Sequence, residues 1–150
     1  MATELVIRDA RQGDARALLD IYAPFVTDTA VSFELTPPTA AEFEDRIASA
    51  QSQWAWLVAE REGEVAGYAY ASAFRTRAAY RFTTETSAYV HPAHRGRGVA
   101  AALYRRLSEV LIAKGYCNAY AGIARPNDPS VAFHRSLGFT PVGVFHRGGW

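Results

Sequence analysis

Apolar positions along the chain recur with two periods, and the places where the period changes divide it into strands and helices. Residues 5–8 carry a short apolar run that reads as a first strand. After Asp14, an N-capping residue type, Leu18, Leu19, Tyr22 and Phe25 return at helical spacing, and Pro24 is expected to kink or end that helix. Pro37-Pro38 breaks the following loop, and Thr39-Ala40-Ala41-Glu42 is a capping-box pattern opening a second helix with Phe43 and Ile47 on one face. Residues 54–60 and 65–74 then read as two strands of a hairpin, turned at 61–64. A polar loop at 75–81 leads to a strand around 86–90. A basic, glycine-containing turn at 91–98 runs into a strongly periodic helix carrying Val99, Leu103, Leu107, Val110 and Leu111, closed by Lys114-Gly115. Another strand is expected over 116–123. Asp128-Pro129 reads as a cap with a first-turn proline, Gly138 ends that helix, and a last strand is expected over 139–145. The predicted order, β-α-α-β-β-β-α-β-α-β, is an α/β fold with a mixed sheet flanked by helices.

The length of 150 residues fits one domain, residues 1–150, with no linker or internal repeat. A net charge of +1 gives no broad field of either sign, so neither a nucleic-acid nor a membrane-surface partner is expected. The single cysteine, Cys117, excludes an intramolecular disulfide framework and fits a reducing compartment. Cys117 itself is expected to be a buried, small apolar residue, and Trp54 and Trp56 are expected to pack in the core and on the sheet. Residues 1–9 have the pattern of neither a signal peptide nor a membrane span, which points to a cytoplasmic protein. His91, His94 and His146 show no metal-ligand spacing, and no metal is expected.

The most informative segment is Tyr89-Val90-His91-Pro92-Ala93-His94-Arg95-Gly96-Arg97-Gly98-Val99-Ala100. A strand enters a turn whose backbone is unencumbered at Gly96 and Gly98, and the turn opens directly into a long helix. The first-turn amides of a helix lack intrahelical partners and lie at the positive end of its dipole. Such a place binds phosphate or pyrophosphate, with Arg95 and Arg97 adding charge. The plainer reading is a solvated turn with exposed arginines. A P-loop ending in Gly-Lys-Ser/Thr and a G-x-G-x-x-G dinucleotide fingerprint are both missing.

Arg95-x-x-Gly98-x-Ala100, after a strand and opening a helix, resembles the pyrophosphate-binding motif of the GCN5-related N-acetyltransferases. Asn127-x-x-Ser130-x-x-x-His134-x-x-x-Gly138-Phe139 resembles a second signature of that family. More narrowly, the chain resembles the phosphinothricin and methionine-sulfoximine N-acetyltransferases through Val31-Ser32-Phe33, Trp56-Leu57-Val58-Ala59-Glu60, Arg77-Ala78-Ala79-Tyr80, Glu85-Thr86-Ser87-Ala88-Tyr89-Val90 and Asn127-Asp128-Pro129-Ser130. The resemblance covers nearly the whole chain. It implies the family's mostly antiparallel sheet, acetyl-CoA as co-substrate bound by the backbone of residues 95–100, and a homodimer.

Amide formation needs a neutral attacking amine, and a nearby carboxylate can take its proton directly or through water. The resemblance assigns that role to Glu85; otherwise it is a surface carboxylate at a strand end. Charge developing on the thioester oxygen is best met by backbone N–H donors, and the resemblance implies that Ala88, Tyr89 and Val90 offer theirs along a splayed strand edge. The wider family usually places a tyrosine where this chain has His134, and the histidine would protonate the departing thiolate unless it merely packs on a helix face. Asn127 would hold the pantetheine arm or loop backbone, or serve as a cap, with Ser130 beside it in the same motif. Arg75, Arg77 and Tyr80 lie together in the polar loop, where guanidinium groups suit carboxylate or phosphinate oxygens. By resemblance Arg77 and Tyr80 bind an anionic substrate and Phe33 covers it.

The family chain normally continues through a further turn and a final tryptophan-containing strand, so the ending Arg147-Gly148-Gly149-Trp150 implies a missing or shortened last strand. The expected activity is acetylation of the amino group of a small anionic amino acid, by direct transfer. The alternatives are acetylation of another small amine, disfavoured for cations by Arg75 and Arg77, and a catalytically silent acyl-CoA-binding module.

Overall fold

The structure, a computed structural model, describes residues 4–146. Its elements run β1 (Leu5–Asp9), α1 (Ala15–Thr27), α2 (Ala40–Gln53), β2 (Trp56–Arg61), β3 (Glu64–Ala73), β4 (Thr83–Val90), α3 (Val99–Ala113), β5 (Asn118–Tyr120) and α4 (Asp128–Ser136), with short 3-10 turns at Gln12–Asp14, Ala78–Tyr80 and Pro92–His94. The strands form one sheet in the order β1-β2-β3-β4-β5. The first three pairings are antiparallel and β4–β5 is parallel.

Alternation along the strands sorts side chains onto two faces. Trp56, Val58 and Tyr68 face α1 and α2, where they meet Leu18, Ile21, Tyr22, Phe43 and Ile47. Leu57, Ala59, Ala69 and Ala71 face α3, where Val99, Leu103, Leu107 and Leu111 cover them. The alanines of β3 let the leucine-rich helix close on the sheet, while the aromatics of its other face stack: Trp56 lies 4.2 Å from Tyr70 at an interplanar angle of 9°. The β2–β3 hairpin turns through Glu62 and Gly63, both at positive φ, the geometry of a two-residue turn that matches strand twist.

Several expectations are corrected. Pro24 lies inside α1, which runs on to Thr27, because the Pro24 carbonyl still accepts from the Asp28 amide at 2.9 Å. Asp14 precedes α1 without a side-chain cap bond; its carboxylate instead receives both terminal nitrogens of Arg8 at 2.8 Å and the Arg11 amide at 2.6 Å. Arg8 also reaches Glu60 at 3.1 Å, tying β1 to β2 and to the turn before α1. Thr39 does cap α2, accepting from the Glu42 amide at 3.1 Å. The cap of α4 is Asn127, not Asp128, through the Ser130 amide at 3.4 Å. The strand expected over 116–123 shrinks to Asn118–Tyr120, and no strand forms over 139–145. Pro141 removes a donor there, Gly143 weakens the run, and Val142, Val144 and Phe145 point outward. Cys117 is exposed rather than buried, because it precedes the solvent-facing edge strand β5. Residues 147–150, which carry the expectation about the last strand, lie outside the described residues.

Candidate functional site

The turn between β4 and α3 has the form its glycines demand. Gly96 and Gly98 take φ of +75° and +76°, a left-handed region that favours glycine. Gly98 occupies the N-cap of α3 and offers no side chain, so no side chain caps the first amides of this fifteen-residue helix. His91 braces the entry by accepting from the Ala93 amide at 3.0 Å, and its own amide donates to the Ala66 carbonyl at 2.8 Å. Arg95 and Arg97 are exposed, the former with its guanidinium 5.7 Å from the Phe25 ring centroid. Behind the turn, Gly67 lets β3 approach closely: a Cβ there would sit 2.8 Å from the Tyr89 carbonyl oxygen and 3.2 Å from Val99 Cγ1. The arrangement fits an anion held by backbone amides.

β4 is the hinge of the site. Its pairing with β5 covers only Thr83, Thr84 and Glu85, which oppose Asn118, Ala119 and Tyr120. Residues 86–90, including Ala88, Tyr89 and Val90, pair with β3 on one side, and β5 does not follow them on the other. The β4–β5 ladder thus stops at Glu85, and the edge of β4 beyond it is not paired with β5. The carboxylate of Glu85 is half-buried and lies over the chain after β5, where a Cβ on Gly122 would come within 3.3 Å of Oε1.

By alternation Glu85, Ser87 and Tyr89 share the face of Tyr68, Tyr70 and Ser72, and Ser72 is directly opposite Glu85. On this face a cavity of about 380 Å³ opens between α2 and the sheet, lined among others by Tyr22, Arg46, Trp56, Tyr70 and Ser72. Burial, then the neighbouring Glu34 carboxylate, pushes the Tyr22 hydroxyl up to about 12. Tyr22 and Arg46 both bond Glu34, and Tyr22 meets Ser32 at 2.7 Å. These bonds pin the loop between α1 and α2 on either side of Phe33, which is 62% exposed. Beyond Ser72 on β3, Phe74 stacks on Tyr120 at 4.7 Å and meets Tyr80 edge-on at 5.8 Å. Arg75 lies over the Phe74 ring at 4.3 Å, and Arg77, exposed, starts the turn that carries Tyr80.

His134 lies on the opposite face of the sheet from Glu85. Its Nε2 is 3.1 Å from the Tyr104 hydroxyl, and its Nδ1 is 2.7 Å from the Ser130 carbonyl oxygen and 3.4 Å from the Ser130 hydroxyl. Tyr104, from α3, is buried, which raises the pKa of its phenol. It also receives the Thr86 hydroxyl at 3.4 Å.

An independent family comparison matches residues 15–139 to the acetyltransferase (GNAT) family. The chain belongs to that family. A phosphinothricin N-acetyltransferase of Streptomyces viridochromogenes is 38% identical over 149 residues, covering 96% of this chain and 81% of the relative. An L-methionine sulfoximine/L-methionine sulfone acetyltransferase of Salmonella typhimurium is 35% identical, covering 91% of this chain and 80% of the relative. Among solved structures, a phosphinothricin acetyltransferase from Sinorhizobium meliloti in complex with acetyl-CoA superposes with a TM-score of 0.92 at 39% identity, covering all of this chain and 81% of the other.

For an N-acetyltransferase of this family, the fold brings the expected residues into three groups: the turn at 95–100, Glu85 with the aromatic wall and cavity on one face of β4, and His134 on the other. Asn127 caps α4 by accepting from the Ser130 amide through its side-chain oxygen. Reading the chain in sequence missed Tyr70, Ser72, Tyr104 and Tyr120. Tyr70 and Ser72 were legible only as alternating strand positions and Tyr104 as a core position of a periodic helix, and in each the polar atom becomes informative only once its neighbours are known.

Proposed function

We propose that this acetyltransferase N-acetylates a small amino acid with an anionic side-chain head, of the phosphinothricin or methionine sulfoximine and sulfone type. The observation that carries the proposal is the position of Glu85, where the β4–β5 ladder ends and beside the Phe74–Tyr80–Tyr120 wall. Acetyl-CoA supplies an activated acetyl thioester. Its pyrophosphate suits the amides and arginines of residues 95–100 (Arg95, Gly96, Arg97, Gly98, Val99 and Ala100), and its arm suits the β4 edge at Ala88, Tyr89 and Val90. Glu85 takes the proton from the substrate ammonium, leaving a neutral amine to attack the carbonyl carbon. Backbone donors of β4 meet the charge on the carbonyl oxygen. As the carbon–sulfur bond breaks, His134 is the source of the proton that the thiolate takes up. Arg75, Arg77 and Tyr80 hold the anionic head and Phe33 covers it. The names of the relatives support this substrate class over cationic amines, which the two arginines repel.

The protein would act as a cytoplasmic homodimer. Its lone cysteine fits the compartment, and the exposed Val142, Val144 and Phe145 give a second copy an apolar surface to cover. The test is thiol release from acetyl-CoA with phosphinothricin, methionine sulfoximine, other amino acids, spermidine and an aminoglycoside. Turnover is expected with the anionic amino acids and should fall about 10²–10⁴-fold in Glu85→Gln. Preference for the polyamine, or an unaffected E85Q, would overturn the proposal. Acetyl-CoA binding without transfer to any amine would point to a silent binding module.

A further inference from the structure

The His134 ring is held at both nitrogens, and chemistry fixes the direction of each bond. A carbonyl oxygen only accepts, so the 2.7 Å contact to Ser130 makes Nδ1 a donor. In the neutral ring Nε2 then carries the lone pair, and the Tyr104 hydroxyl donates to it across 3.1 Å. Thr86 in turn donates to Tyr104 across 3.4 Å. The bonds run one way, from the Thr86 hydroxyl to Tyr104, to Nε2, and from Nδ1 to the Ser130 carbonyl. Neither nitrogen is free to face a ligand. A proton that leaves a doubly protonated His134 from Nε2 meets the Tyr104 oxygen first.

The place where this chain of bonds ends is informative. Thr86 is the first residue of β4 beyond the β4–β5 ladder, next to Glu85, where the unpaired edge of β4 begins. Tyr104 reaches that position from α3, with its hydroxyl beneath β4 at Thr86 and withdrawn from solvent. The groups facing the imidazole are Tyr104 from α3, Phe139 beyond α4, and Phe133 and Ser130 of α4 itself; among them Tyr104 is the titratable one.

We propose that Tyr104 is the proton-relay residue of this acetyltransferase, taking the proton of His134 at its oxygen as it passes its own proton towards the leaving sulfur. This rests on His134 being the acid of the reaction proposed above. The step balances: the carbon–sulfur bond breaks with its electron pair on sulfur, the Tyr104 O–H bond breaks as the S–H bond forms, and the Nε2–H bond of the imidazolium breaks as the Tyr104 O–H bond re-forms. His134 is left neutral with Nδ1 still bonded to Ser130, ready to take a proton from water. The terminal donor is then a phenol hydroxyl from α3, which needs His134 to recharge it.

The competing role is a tether. No residue of α4 is fully buried, and Phe133 and His134 hold it to the body around the Tyr104 ring, which also meets Phe139. Tyr104→Phe keeps those ring contacts and removes only the hydroxyl. Two readouts on Tyr104→Phe, His134→Gln and the double variant separate the roles. Ring ¹⁵N resonances of His134 in the resting protein report the bond without any turnover: Nδ1 should be the protonated nitrogen, and the Nε2 signal should move towards a free acceptor in Y104F. Thiol-release kinetics should show kcat falling about 10²-fold in each single variant, with KM for both substrates within about twofold. The double variant should be no slower than the slower single one. An unmoved Nε2 signal overturns the proposal, as does a moved signal with kcat retained, the mark of a tether. Multiplying losses in the double variant also overturn it. Activity lost in E85Q but kept in Y104F and H134Q overturns the relay and leaves the substrate and base assignments standing, whereas a wild-type protein inactive on every amine overturns both.

Discussion

Gly67→Ala tests whether the turn at residues 95–100 is positioned by close packing behind it. Gly67 pairs with Ala59 on β2 and with Val90 on β4, in the interior of the sheet. An added Cβ would lie 2.8 Å from the Tyr89 carbonyl oxygen, 3.2 Å from Val99 Cγ1 and 3.3 Å from Val90 Cα. Two of the three neighbours are backbone atoms, so no rotamer change relieves the contact and β4 must move away from β3. Overpacking of this kind costs about 1–3 kcal/mol. At about 2–4 °C per kcal/mol for a chain of this size, the melting temperature should fall by roughly 2–12 °C. Tyr89, Val90 and Val99 flank the turn, so the displacement should also weaken coenzyme A binding, by about tenfold for each 1.4 kcal/mol of misalignment. Differential scanning calorimetry and isothermal titration with coenzyme A measure the two effects. Gly13→Ala is the control: a Cβ there meets nothing within 4 Å, and the change should be within about 0.5 kcal/mol. A G67A protein with unchanged melting and unchanged coenzyme A affinity would refute the reasoning.

Two further variants probe stability. Hydrogen bonds from Arg8 first, then the Arg11 amide, hold the Asp14 carboxyl below the usual carboxylate range against the opposing effect of its burial. A depressed folded-state value means that the ion pair contributes fully above the unfolded pKa of about 3.9 and fades as pH falls through the lower folded value. Asp14→Asn should cost about 2 kcal/mol at neutral pH in urea unfolding, and its deficit should shrink as pH falls below the unfolded value. A deficit that stays constant with pH would show that the charge is not the cause. Thr39→Ala removes the cap of α2 and should cost about 1 kcal/mol, with no change in coenzyme A affinity, because α2 lies on the other side of the sheet from α3.

What could be read from the residues was what local pattern decides. The apolar period of Val99, Leu103, Leu107 and Leu111 gives α3, and glycines at 96 and 98 give a turn that leaves its first amides uncapped. The elements that were misread depend on partners. Residues 116–123 and 139–145 have strand-like composition, but a strand exists only if another pairs with it, and β5 finds β4 for three residues. Pro24 does not end α1, because its penalty falls on the turn before it and the helix runs on to Thr27. Asn127 and Asp128 are both good caps, and only the backbone at the entry to α4 selects the first. The site shows the same limit: His134 was visible as a residue type, while the network that occupies both its nitrogens joins Ser130, Tyr104 and Thr86, from three elements.

The register of β4 also bears on why acid and base can coexist. Glu85 and Thr86 are consecutive, so their side chains leave the strand on opposite faces. Glu85 shares its face with the cavity and the aromatic wall; Thr86 shares its face with Tyr104 and, through it, His134. On the proposed mechanism the amine arrives on one side of β4 and the thiolate receives its proton from the other, with the strand backbone between them. The base and the acid thus reach the reacting atoms from opposite faces of the strand, and the substrate completes the path between them. One inserted residue in β4 before Glu85 would turn the carboxylate towards α3 and leave the cavity face without its base. The chemistry therefore depends on β3–β4 pairing as much as on residue identity, and the continuous ladder from Gly67–Val90 to Ala73–Thr84 is what holds that register.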